Sequence, residues 1–254
     1  MKLSACIEWL FAEEAENFAD RICLAHSHGV EAVEFWRWTN KDIGSMEWAL
    51  SETGIELASF VAEPMIALTD QTNRAAFIEG LKRSVEVARR LGARTLIAQA
   101  GDDLAGKTRE EQRTALTETL AQAGAVLEGS GVRLGVEPLN TLIDHVGYFL
   151  GSTREGLDVA RDTGRPEIGI IYDIYHSAVM GEDTAEVIGD DIDRVFHVHI
   201  ADHPGRNQPG SGTIDLKARV DWLVASGYSG ALGLEYRPTQ PSALTIDATR
   251  RLLG

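Results

Sequence analysis

Two periodicities alternate along this chain. Short apolar or β-branched runs, LSACI, EAVEF, IELASFV, RTLIAQA, RLGVEP, IGIIYD, VFHVHI and ALGLEY, are separated by longer stretches whose apolar side chains recur every three or four residues. The longer pattern predicts helices over Ala15 to His28, Lys41 to Thr53, Arg74 to Leu91, Arg109 to Glu128, Thr153 to Asp162, Thr184 to Gly189, Leu216 to Ser226 and Ala243 to Leu253. In the third of these, Phe77, Leu81, Val85 and Ala88 mark the face to be buried. Several helices run into a Gly before the next strand, as in ETGIELASF and RLGARTLIA, which fits a left-handed cap. No dinucleotide glycine fingerprint follows the first strand, and no Pro/Ser-rich linker divides the chain. Eight strand–helix units therefore predict an α/β protein with a single (β/α)8 TIM-barrel domain over residues 1–254.

Four chemically able side chains fall at one phase of consecutive units. Glu137 closes RLGVEP, Asp173 closes IGIIYD, His199 closes VFHVHI and Glu235 closes ALGLEY. In a parallel barrel the carboxyl ends of the strands face one crevice, so residues far apart in sequence converge there. Three carboxylates and one imidazole suit a single divalent ion, Mn²⁺, Mg²⁺ or Co²⁺, with positions left for substrate oxygens. Any one acidic residue at a strand end can equally be a helix cap; the repetition over four units favours the metal site. His197 alternates with His199 and is expected deeper in the barrel as a hydrogen-bonded supporting group. Glu34, ending the second strand, is expected to bind a substrate hydroxyl or to orient a neighbour, with a structural hydrogen bond the equal alternative, and Asn140 to hold substrate or form a turn. Trp9, Phe35 and Trp36 are candidates for an apolar pocket wall, with core packing the plainer alternative.

The composition narrows the partners. With 24 basic against 39 acidic residues the formal charge is −15, which disfavours a phosphate backbone, so neither DNA nor RNA is the expected substrate. Cys6 and Cys23 match no zinc spacing, and two thiols fit a reduced cytoplasmic setting. The opening residues are broken by Glu8 and do not resemble a signal peptide, and no apolar run is long enough to span a bilayer. A small-molecule substrate is expected, with no membrane partner and with a dimer or tetramer open.

The segments LSACIEWLF, GVEAVEFW, GVEPLN, YDIYH, HVHIAD and GLEYRP, in this order and spread over nearly the whole chain, resemble the xylose isomerase-like barrel superfamily of sugar isomerases and epimerases, most closely the hydroxypyruvate isomerase family. The resemblance implies that Glu137, Asp173, His199 and Glu235 are the metal ligands and that Glu137 and Glu235 are also the catalytic acid/base pair. It implies substrate binding by His176, three residues after Asp173, and by Arg206 in the loop after His199. The tail DHPGRNQPGSGTIDLKARVDWL is closer to the general sugar-epimerase pattern, and Arg237 stands where the isomerase family has Lys. Those departures leave the metal site intact and open the substrate.

An isomerase acting on a small hydroxy-carbonyl compound, hydroxypyruvate to tartronate semialdehyde, is the leading expectation. Ketose 3-epimerisation shares the proton transfers, and a lyase on a keto-inositol or oxidised sugar glycoside differs by losing a leaving group. The superfamily's endonucleases use extra histidines at the third and fourth strand ends, where this chain reads FVAEP and IAQAG. A binding protein without activity would have no need of both glutamates.

Overall fold

The computed structural model describes residues 1–254. Eight parallel strands close in sequence order: β1 (Leu3–Cys6), β2 (Ala32–Glu34), β3 (Glu56–Val61), β4 (Thr95–Ala98), β5 (Arg133–Val136), β6 (Ile168–Asp173), β7 (Val195–Ile200) and β8 (Leu232–Leu234), with β8 returning to β1. The helices between them are α1 (Phe18–Ser27), α2 (Ile43–Thr53), α3 (Arg74–Leu91), α4 (Arg109–Leu127), α5 (Thr153–Asp162), α6 (Ile174–Val179), α7 (Thr184–Ile188), α8 (Leu216–Ala225) and α9 (Ser242–Leu253). This is the predicted (β/α)8 barrel.

Strand alternation divides the apolar residues into two regions. Outward side chains such as Val33, Phe60 and Leu96 pack with Ile22, Met46, Leu81 and Leu116 of the helices in one large core. Inward Val61, Ile97 and Ile171 form a small separate cluster under Trp36. The barrel interior is thus closed by side chains and leaves its chemistry to the carboxyl end.

Local capping explains where the boundaries depart from expectation. The first helix starts at Phe18 rather than Ala15 because the Asn17 side chain accepts the Asp20 N–H at 2.8 Å, fixing the cap there. Thr108 and Glu111 form a reciprocal capping box that opens α4. Gly54 and Gly92 end α2 and α3 at φ of 69° and 79°, the left-handed geometry expected of the helix–Gly–strand junctions. The short α6 was not anticipated; it is only six residues long, and its first four, Ile174 to Ser177, are all buried, so no periodicity marks it. Both cysteines are free thiols, and no helix is long and apolar enough to cross a membrane.

Candidate active site

Strand register brings the four expected residues together. Asp173 pairs with His199 across β6 and β7, His199 with Gly233 across β7 and β8, and Glu137 and Glu235 each follow the last residue of their strand. One donor atom from each of Glu137, Asp173, His199 and Glu235 lies within 4.8 Å of the others, and all four residues are buried. Gly233 makes room for this convergence: a Cβ there would stand 2.5 Å from both Glu34 Oε1 and His199 Cδ2.

Each ligand-type group is held from behind. Glu137 is fixed through its main chain, whose N–H donates to Ala98 O at 3.0 Å and whose carbonyl accepts the Tyr148 hydroxyl at 3.0 Å. Asp173 uses one oxygen as the cap of α6, accepting the N–H of Tyr175 at 2.7 Å and of His176 at 3.1 Å. Cap and ligand readings therefore coexist on one carboxylate, because Oδ2 remains buried without a hydrogen bond. Glu235 accepts from Trp36 Nε1 at 2.7 Å on one oxygen and from Arg206 Nη2 at 2.6 Å on the other.

His199 stands between anions on both sides. Its Nδ1 lies 2.9 Å from Glu137 Oε1 and 3.7 Å from Glu235 Oε2, while Nε2 lies 3.2 Å from Glu34 Oε1, an ion-pair contact rather than a well-aligned hydrogen bond. Burial opposes its charge, but Glu235 and Glu34 raise its proton affinity well above the usual imidazole value. Burial likewise resists ionisation of Glu34, yet His197, at 2.8 Å, and His199 hold that carboxyl well below the usual range. Of the roles expected for Glu34, its contacts are those of the group that orients a neighbour. Its carboxylate lies beneath the site and serves the two histidines, and His197 is the deeper supporting group anticipated from strand alternation.

The remaining expected residues divide. His176 is buried; its Nδ1 accepts the Asn140 N–H at 3.1 Å, which leaves the ring proton on Nε2. That Nε2 has no hydrogen-bond partner and lies 3.5 Å from Asp173 Oδ2. Burial, then Arg206, keep the ring neutral by lowering its pKa well below the ordinary value. Arg206 reaches in from the β7–α8 loop with a φ of 53°, pairs with Glu235, lies 3.5 Å from Asp173, and stacks near Trp9 and Tyr175. Of the two readings for Asn140, its contacts match the turn former. It is fully buried, its Oδ1 accepts the N–H groups of Ile143 and Asp144, and its Nδ2 meets Asp144 and His176.

The aromatic wall is also partly corrected. Trp9 and Trp36 meet edge to face at 5.1 Å over the site, but Phe35 points outward and stacks on Phe60 in the core, as alternation after inward Glu34 requires. Trp36 adds a polar contact by its bond to Glu235. Sequence reading missed Asp202, which is buried and gathers four backbone N–H groups, those of His203, Gly210, Gly212 and Ile214, at 2.9 to 3.0 Å, shaping the loop that carries Arg206. HVHIAD followed by PGSG was the available signal, an acid before a glycine-rich loop. Asp144 was also missed; it accepts the Tyr175 hydroxyl at 2.7 Å and ties the β5 loop to α6.

The donor set fits a divalent cation. Three carboxylates converge with one imidazole nitrogen, Asp173 Oδ2 is buried without a partner, and Arg206 supplies only one compensating positive charge. Glu34, His197 and His199 form a second cluster below, joined by the His197–Glu34 hydrogen bond at 2.8 Å and the His199–Glu34 ion pair at 3.2 Å.

Comparison with known proteins agrees with this architecture. Residues 22–253 match the family model described as xylose isomerase-like TIM barrel. A 2-oxo-tetronate isomerase of Cupriavidus necator is 27% identical, covering 100% of this chain and 99% of its own. A hydroxypyruvate isomerase of Escherichia coli is 28% identical over 94% of each chain. A structure titled AP endonuclease, family 2, from Brucella melitensis superposes with a TM-score of 0.89 at 24% identity over 98% of each chain, which speaks to the fold. The chain belongs to the xylose isomerase-like TIM-barrel family and is similar over nearly its full length to members named hydroxypyruvate isomerase.

Proposed function

We propose that the protein is a metal-dependent isomerase of a small hydroxy-carbonyl acid, with hydroxypyruvate to tartronate semialdehyde as its reaction. The observation that carries this reading is the pairing of Glu137 and Glu235 around a buried four-residue donor set that needs a cation. Glu137, Asp173, His199 and Glu235 would hold one divalent ion, Mn²⁺, Mg²⁺ or Co²⁺. When bound, that ion supplies Lewis-acid stabilisation of negative charge on substrate oxygens.

The chain's own residues account for the proton transfers. One carboxylate removes a proton from the hydroxymethyl carbon, the electron pair moves to the neighbouring carbonyl oxygen as an enediolate forms, the hydroxyl proton passes to that oxygen, and the second carboxylate returns a proton to the former carbonyl carbon, leaving the aldehyde at the former hydroxymethyl carbon. Glu235, whose two oxygens accept from Arg206 and Trp36, is assigned as the base. Glu137, the other carboxylate of the pair, is assigned as the group that returns the proton. His176 Nε2–H is a neutral, pre-oriented donor for a substrate oxygen, and Arg206 balances charge from the mouth. Trp9, Trp36 and Tyr175 supply aromatic surface beside Arg206 and Glu235.

The test is proton NMR of hydroxypyruvate in D₂O with Mg²⁺-loaded protein. The proposal expects conversion to the isomeric aldehyde with deuterium at carbon. Loss of water or another leaving group would move the reading to a lyase, and an inert substrate panel would remove it.

A further inference from the structure

Every cation that the strand-to-helix loops bring to the catalytic mouth is engaged, except one. Those loops carry five Lys or Arg residues: Arg37, Lys41, Lys107, Arg206 and Arg237. Arg37 pairs with Glu63 at 2.9 Å and Lys41 with Glu8 at 2.6 Å. Arg206 is committed to Glu235 and Asp173. Lys107 lies toward Asp70 and Glu111, away from the four-residue donor set. Arg237 is exposed and has no acidic partner.

Its place at the mouth is nonetheless built. The Arg237 N–H donates to Arg206 O at 2.9 Å, and its carbonyl accepts Asn207 Nδ2 at 2.9 Å, so the β8 loop is tied to the loop that carries Arg206. Its guanidinium lies 5.4 Å from the ring of Trp9, the same indole that Arg206 approaches to 5.1 Å. Trp9 in turn contacts Trp36, whose indole donates to Glu235. A free guanidinium therefore stands two indoles, Trp9 and Trp36, away from the proposed base.

We propose that Arg237 determines specificity by binding the carboxylate of the substrate. The inference rests on the isomerase reading above and deepens it by assigning the acid group a receptor. In a chain of net charge −15, with three carboxylates at the reaction centre, an anionic substrate needs a cation that is not already neutralised. Guanidinium can meet a carboxylate through two parallel hydrogen bonds, which a neutral hydroxymethyl group cannot reproduce.

The test compares hydroxypyruvate with dihydroxyacetone, in which a hydroxymethyl group replaces the carboxylate, using the Mg²⁺-loaded full chain and its Arg237→Gln and Arg237→Lys variants. Arg237→Gln should raise KM for hydroxypyruvate by about ten-fold or more, with kcat nearly preserved. The preference for hydroxypyruvate over dihydroxyacetone, in conversion or solvent proton exchange, should fall by a similar factor, and Arg237→Lys should recover part of it. An unchanged KM, or an equal loss on both compounds, overturns the assignment. Should the wild type convert neither, the isomerase reading fails, and calorimetric binding of D-glycerate, an unreactive hydroxy acid, still decides the role of Arg237. About ten-fold weaker binding in Arg237→Gln supports it, and equal binding removes it.

Discussion

Glu34 stands at a strand end beside the site, and its contacts are those of an orienting group. Its two oxygens face His197 and His199, so its effect on the site passes through the orientation of His199. Glu34→Gln keeps the shape but removes one anionic acceptor. Mn²⁺ affinity measured by electron paramagnetic resonance should fall about 10-fold to 100-fold, the range for such supporting groups. Retained affinity with only a lower melting temperature would assign Glu34 to stability alone. His145, half-buried beside His176, gives a pH prediction: burial, then Arg206, lower its pKa in the folded protein. A histidine with a depressed folded pKa costs nothing while both states are neutral. As pH drops below about 6.5, the unfolded chain gains a proton that the folded chain resists, so stability falls from there toward the folded pKa. His145→Gln should flatten that part of a urea-midpoint versus pH profile; an unchanged slope would refute the assignment. Sequence reading could name the four ligand-type residues because each ends an apolar run. It could not see that Asn140 spends its amide oxygen on a turn, since that depends on where the following backbone N–H groups point.

At the level of elements, the strands mattered more for register than for length. β8 is only three residues long, yet it places Gly233 against His199 and Glu34. Gly233→Ala must displace one of those side chains, at a cost of about 1–3 kcal/mol for overpacking. A drop of several degrees in melting temperature, together with weakened Mn²⁺ binding, is the expected result, by calorimetry and by metal titration. Full metal affinity in that variant would show that the close packing is irrelevant to the site. The main helices and all eight strands were legible because two periodicities alternate cleanly, as Phe77, Leu81, Val85 and Ala88 of α3 show. The β7–α8 loop was not. Its shape depends on Asp202 collecting N–H groups from residues up to twelve positions away, a contact no local pattern displays.

Across the whole molecule, the barrel concentrates negative charge at one end of its axis and answers it with few positive groups. The acidic composition pointed away from nucleic acid, and closure of the sheet explains why residues from Glu34 to Glu235 share one crevice. What composition could not supply was the division of labour among carboxylates, which is set by neighbours: Trp36 and Arg206 for Glu235, burial for Glu137, the cap of α6 for Asp173. The central claim is that Glu137 and Glu235 together move protons at a substrate carbon. Its most direct test is the rate of deuterium incorporation from D₂O into hydroxypyruvate, by NMR, for the Mg²⁺-loaded wild type and for Glu137→Gln and Glu235→Gln whose metal content has been verified. Each substitution should slow exchange by about 10²- to 10⁴-fold. Full exchange in both metal-loaded variants would contradict the account.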